Sequence, residues 1–167
     1  MKWQELKSSE LGSLSRHTLV VVPTASIEQH GPHLPVGTDS YIAEAIASAL
    51  DREFAERLLI LPVQRLGCSE HHMAFPGTLT LQHGTFEEVI LEALDSMARQ
   101  GFGRFLILNS HGGNQASGGV IAGKAAHRWP DAQVLFTSWW QVAADQLRNP
   151  AEGTSQALVM LANSRRA

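Results

Sequence analysis

Three short stretches of this chain gather the residue types that hold metals and move protons. The first is Glu28-Gln29-His30, with Asp39 following after a Gly/Pro-rich turn. Glu28 and His30 are two apart, so in an extended segment they project to the same side. Carboxylate oxygens and imidazole nitrogens are the donors that Zn, Mn and Fe sites use. Asp39 has a plainer alternative as the N-cap of a helix beginning near Ser40, and this segment alone leaves both readings open. The second stretch is Asn109-Ser110-His111-Gly112-Gly113-Asn114. Its glycines let backbone approach a ligand closely, and a helix starting after it would favour an anion. A tight turn with a capping Asn is the alternative. A phosphate loop fits poorly, because no Lys and Ser/Thr follow the glycines. The third stretch is Ser69-Glu70-His71-His72, then Phe75-Pro76-Gly77-Thr78. Adjacent histidines on an extended segment point to opposite sides. One of them is therefore expected to face a site, and the choice falls on His72, directly before the Phe75-Pro76-Gly77 turn. The alternative is an exposed loop with incidental histidines.

The remaining histidines show no such spacing. His17, His83 and His127 read as surface residues, and His33 is undecided. Ser110-His111 is no nucleophile elbow, because G-x-S-x-G is absent. Cys68 beside His71 or His72 could form a thiol pair, but nothing in the spacing supports one.

These stretches must be positioned by something rigid. Thr18–Thr24, Leu58–Val63, Arg104–Asn109 and Gln133–Thr137 are nearly continuous apolar runs. Such runs fit parallel strands covered on both faces. Between them, Ile42, Ile46, Ala49, Leu50 and Phe54 recur at helical spacing, as do Phe86, Val89, Ile90, Ala93, Leu94 and Met97. Thr85 with Glu88 looks like a capping box, and Gly101 like that helix's stop. A third helix is expected from about Gln115 to Arg128, before Pro130, and a helix-like stretch at Ser155–Asn163. The alternation implies right-handed crossovers in a three-layer α/β/α domain with a mostly parallel central sheet. Two of the reactive stretches, Glu28–Asp39 and Leu66–Leu81, follow expected strands, at the sheet edge where ligands bind.

Composition narrows the partners. In 167 residues, 44% are hydrophobic and 17% charged, which suits one domain with a real core and excludes disorder. Lys+Arg 13 does not exceed Asp+Glu 16, so bulk charge offers nothing to nucleic acid. The single cysteine, Cys68, cannot close an internal disulfide, which favours a reducing, cytoplasmic setting. No apolar run reaches the roughly 18 residues of a membrane span, and Met1–Glu5 opens no signal-peptide stretch.

Taken together, the three stretches resemble the creatininase family of metal-dependent amidohydrolases. The likeness runs from Trp3 to about Trp140. It is carried by Ser26–Pro35 with Thr38-Asp39, by Ser69–Met73 with Phe75–Thr78, and by Asn109–Asn114. In the last of these the family usually has Gly in place of Ser110. The resemblance implies a site for one or two divalent ions per chain, Zn, Mn or Fe. Glu28 and His111 would bind one ion and His30 the other, with Asp39 bridging. Creatininase carries a further glutamate ligand two residues after the motif histidine. Gly113 stands there in this chain, as in the formyl-hydrolysing branch, which implies a weaker or absent second ion.

The resemblance also implies a hydrolase of a cyclic or non-peptide C–N amide bond, in a creatinine-like lactam, a formamide or a small peptide end. Ser69, His71, Asn114, Trp139 and Trp140 would contact the substrate, with His72 and Glu152 catalytic. Family members carry a late His-Ala-Gly-x-x-Glu-Thr-Ser motif, whose histidine shuttles a proton. Its best trace is Arg148–Ser155, with Arg148 at the histidine position, Gly153 at the glutamate position and Glu152 one residue off. Several dozen residues before it have no counterpart. Residues 1–167 are thus expected to be a single domain with a shortened or incomplete C-terminal part and impaired activity. The expected partners are a small-molecule amide and further copies of the chain, with no nucleic acid and no membrane. The rival expectation is a catalytically silent metal-binding subunit of an oligomer.

Overall fold

The computed structural model describes residues 1–144. In chain order these form α1 (Ser8–Ser13), β1 (Leu19–Thr24), α2 (Thr38–Phe54), β2 (Leu58–Ile60), α3 (His83–Ala98), β3 (Arg104–Asn109), α4 (Gln115–Arg128), β4 (Gln133–Ser138) and α5 (Trp139–Val142). The strands make one all-parallel sheet in the order β2-β1-β3-β4. One face of the sheet, through Val20, Val22, Leu59, Phe105 and Ile107, packs on α3 and α4. The other, through Val21, Ile60, Leu106 and Leu108, packs on α2 and receives Trp139. The fold is therefore the expected three-layer α/β/α arrangement.

Two strands depart from the apolar runs. β2 stops at Ile60, not Val63, because Pro62 has no N–H to give the ladder. Pairing to β1 resumes at Gln64, whose N–H donates to the Pro23 carbonyl at 2.9 Å. β4 is the sheet's edge, and Leu135 on it is 55% exposed, so covering on both faces fails there among the described residues.

Helix ends follow local chemistry. α3 begins at His83, two residues before the expected capping box at Thr85, with Gln82 as its N-cap. Its end is as read: Gly101 has φ +91°, and the Phe102 N–H reaches back to the Met97 carbonyl at 3.1 Å. α4 ends at Arg128, and Trp129 before Pro130 has left helical geometry.

Gly118 of α4 faces β4 so closely that a Cβ there would overlap the Phe136 ring. Gly→Ala within an open helix stabilises by about 1 kcal/mol. Here Gly118→Ala should instead destabilise by about 1–3 kcal/mol through overpacking. A lowered urea midpoint at unchanged m-value is the expected readout.

Candidate metal centre

The strand order reverses direction between β1 and β3: the chain leaves β1 for β2 on one side and returns to β3 on the other. Their carboxyl ends open the crevice that this topology creates. Thr24 and Asn109 are register partners at that edge. The Asn109 Oδ1 accepts from Thr24 Oγ1 (3.2 Å) and from the His111 N–H (3.1 Å), and its Nδ2 donates to the His111 carbonyl (2.7 Å). His111 is thus clamped by the last residue of β3.

Asn114 ties three loops together. Its Oδ1 accepts from the Cys68 N–H at 2.9 Å, and its Nδ2 donates to the Ala25 carbonyl at 3.1 Å and to Asn109 Oδ1 at 3.2 Å. It is fully buried. The expected substrate contact at Asn114 is therefore not where the structure puts it, because its amide is committed to the scaffold. Ser69 is likewise buried, and its Oγ lies 3.3 Å from His111 Nε2, behind the cleft.

Asp39 does not cap α2. Gly37 holds the N-cap position, and Asp39 turns inward from the first turn. Its Oδ1 lies 3.1 Å from His30 Nε2 and its Oδ2 lies 2.9 Å from His111 Nδ1, with Ser26 Oγ donating to Oδ2 at 2.8 Å. Each histidine presents its remaining nitrogen to a backbone carbonyl: His30 Nδ1 to Glu28 at 3.1 Å, and His111 Nε2 to Cys68 at 3.1 Å. Those carbonyls fix both tautomers and leave the lone pairs of His30 Nε2 and His111 Nδ1 turned toward Asp39, as ligating histidines are held.

Glu28 completes the set. It is buried, its Oε1 lies 3.4 Å from His111 Nδ1, and its Oε2 has no hydrogen-bond partner among the described residues. A buried carboxylate oxygen without a partner is costly, and a divalent cation satisfies it. Two groups of donors lie within 4.8 Å of one another, Glu28/His30/Asp39 and Glu28/His71/His111. Glu28 belongs to both.

Burial pushes the His111 imidazole down, but hydrogen bonds to Asp39 and the Cys68 carbonyl, with the charges of Glu28 and Asp39, lift it above its ordinary 6.5. Asp39 is pushed up by burial and brought below 3.8 by hydrogen bonds from His111 and Ser26 and the nearby histidine charges. In the metal-free chain a proton on His111 thus competes with a cation for Nδ1, while Asp39 stays ionised. Zinc affinity should fall about tenfold per pH unit below the raised His111 value. Competition titrations on either side of pH 6.5 would show it, and a flat profile would contradict it.

A cleft of about 570 Å³ opens over these donors, lined by Glu28, His30, Asp39, His71, Ser110, His111, Trp139 and Trp140 among others. Trp139 and Trp140 meet edge to face at 5.7 Å. Sequence reasoning missed Ser110 as a wall residue. Its Oγ and the Trp139 Nε1 are buried and unpartnered among the described residues. His71 lines the cleft, whereas His72 is turned away: Gln29 Nε2 donates to His72 Nδ1 at 2.9 Å. The structure turns His71 into the cleft in place of the expected His72: Glu70–His72 form a 3₁₀ turn, and the Gln29 tether holds His72 aside. His72 Nε2 still lies 3.8 Å from Glu28 Oε1 and backs that carboxylate. Glu152 and Arg148 lie outside the described residues. Among the histidines read as surface residues, exposed His83 is bonded through Nδ1 to Ser117 Oγ at 2.8 Å.

Fold and site together define a parallel α/β domain with a Glu/His/Asp cluster that could hold a metal ion at its switch point. The creatininase family profile, described as creatinine amidohydrolase, matches residues 1–158, and the chain belongs to that family. The mycofactocin precursor peptide peptidase of Mycolicibacterium smegmatis is 39% identical over 100 residues, 58% of this chain and 40% of that protein. A crystal structure of creatinine amidohydrolase superposes with a TM-score of 0.81 at 21% identity, covering 92% of this chain and 63% of that one. A structure called creatininase Mn matches at 0.74 and 22%, covering 93% and 66%. At those identities the structural likeness speaks for the fold. The chain spans about two fifths of the peptidase's length. No described helix is long and apolar enough to cross a membrane.

Proposed function

We propose that this chain is a metal-dependent hydrolase that cleaves a cyclic or non-peptide C–N amide bond in a small molecule, such as a lactam or a formamide. One observation carries the reading: the Asp39 carboxylate stands between two histidines whose other nitrogens are fixed on backbone carbonyls. The unpartnered Glu28 Oε2 beside them supports a cation on this donor set. Glu28, His30, Asp39 and His111 would hold one or two ions, Zn, Mn or Fe. A divalent ion there supplies polarisation of a carbonyl and a more acidic water. Ser110 and Trp139 line the same cleft. The edges and faces of Trp139 and Trp140 give a planar substrate an aromatic wall. His72 orients Glu28 from behind. Assembly as a homo-oligomer in the cytoplasm belongs to the same reading. Exposed Leu34, Val36, Met73 and Phe75, on the loops after β1 and β2, support further association.

The test is metal content per chain together with turnover of a panel of lactams and formamides. Metal with turnover supports the reading. Metal with no hydrolysis of any member favours a silent metal-binding subunit instead, to which Arg148 at the shuttle position already points.

A further inference from the structure

His71 is the one cleft-lining histidine that the reading above leaves without a task. We propose that His71 is a metal ligand, completing with Glu28 and His111 a coordination set on the β3 side of the centre. This rests on the metal reading but adds a residue and a position to it. Donor atoms of Glu28, His71 and His111 lie within 4.8 Å of one another, near enough for one ion to draw them onto itself with small side-chain shifts. The His71 and His111 rings lie nearly parallel, 9° apart, with centroids 5.9 Å from each other. Among the described residues the His71 ring nitrogens make no hydrogen bond, although its neighbour His72 is tethered to Gln29. The Glu28 Oε2 beside them is buried without a partner.

Position 113 gives the independent support. A Cβ on Gly113 would overlap the Cys68 carbonyl and stand 3.1 Å from His71 Cε1. No side chain at 113 can therefore reach the centre with this backbone, and the room beside it is taken by the His71 imidazole. The 111–114 turn thus offers the second ion no donor at 113, while the Glu70–His72 turn offers the Glu28/His111 position an additional one. An imidazole there with no carboxylate at 113 leaves the centre with less negative charge and softer donors, which favours zinc or iron over manganese.

The test reads the metal directly and does not depend on turnover. His71 is exposed, so its substitution should leave the fold intact. His71→Ala should weaken zinc binding by more than the roughly 100-fold that loss of an outer partner costs at most. His71→Cys, loaded with Co²⁺, should gain a thiolate-to-cobalt charge-transfer band that the wild type lacks, even though the wild type carries buried Cys68. Because His71→Cys sets up a Cys-x-x-Cys pair with Cys68, the variant is made in a Cys68→Ala background and checked for an unchanged circular dichroism spectrum, so that the band reports position 71 alone. Unchanged zinc affinity in His71→Ala, or Co²⁺ bound by His71→Cys with no new band, overturns the assignment and leaves the metal reading standing. A wild type that binds neither zinc nor cobalt overturns both.

Discussion

Asp39→Ala is expected to strip the centre of metal, and His30→Ala is not. The Asp39 oxygens face different histidines, Oδ1 toward His30 and Oδ2 toward His111. Removing the carboxylate therefore takes a donor from both positions and leaves Glu28 to neutralise whatever charge remains. Loss of a partner one shell out costs roughly 10–100-fold in affinity, and a carboxylate shared by two positions should cost more than the upper figure. His30→Ala leaves Glu28, Asp39 and His111 in place and should spare one ion. Asp39 is buried and accepts from Ser26, so the alanine variant could also loosen the loop. Asp39→Asn keeps the shape and a partner for Ser26 while removing the charge, and it should lose metal nearly as fully. Zinc per chain after dialysis against graded chelator is the measurement. Equal loss in Asp39→Ala and His30→Ala would sink the bridging assignment.

Much of this geometry was legible in the sequence, and the rest failed for identifiable reasons. The runs at Thr18–Thr24 and Arg104–Asn109 read as strands covered on both faces, and the structure places them in the middle of the sheet. Gln133–Thr137 reads the same way, yet it is an exposed edge, because a strand's position in the sheet order is set by partners far along the chain. Glu28, His30 and Asp39 are candidate donors by residue type, His111 joins them through the family resemblance, and the structure gathers all four around one crevice. For Asp39, cap and ligand could not be separated from sequence. Choosing between them depended on a His111 that lies 72 residues away. Which of His71 and His72 faces the cleft is not decided by the Phe75-Pro76-Gly77 turn that follows them. The tether from Gln29, 43 residues distant, leaves no local trace. Ser69 and Asn114 show the same limit. A polar residue in a motif can serve the substrate or the scaffold, and only the closure of three loops around Asn114 decides it.

Proton delivery gives the second large effect. Amide cleavage needs a proton on the departing nitrogen, and general acid help is typically worth 10²–10⁴-fold. The described cleft holds five titratable side chains, Glu28, His30, Asp39, His71 and His111. Four are the proposed metal donors, and the further inference commits the fifth. Arg148 stands where the family motif has its histidine, and an arginine stays protonated throughout the working range and cannot shuttle. The chain should therefore bind metal well and hydrolyse unactivated amides poorly. An activated anilide, whose leaving group departs with little protonation, should suffer least. The ratio of its kcat/KM to that of a simple lactam should exceed the ratio for a relative with the histidine by roughly 10²–10⁴. Arg148→His should narrow the gap by raising the lactam rate alone. A lactam rate already matching that relative's would show that another group carries the proton. Glu152 is then the first to substitute, and His72, poised behind Glu28 with Nε2 at 3.8 Å, the next.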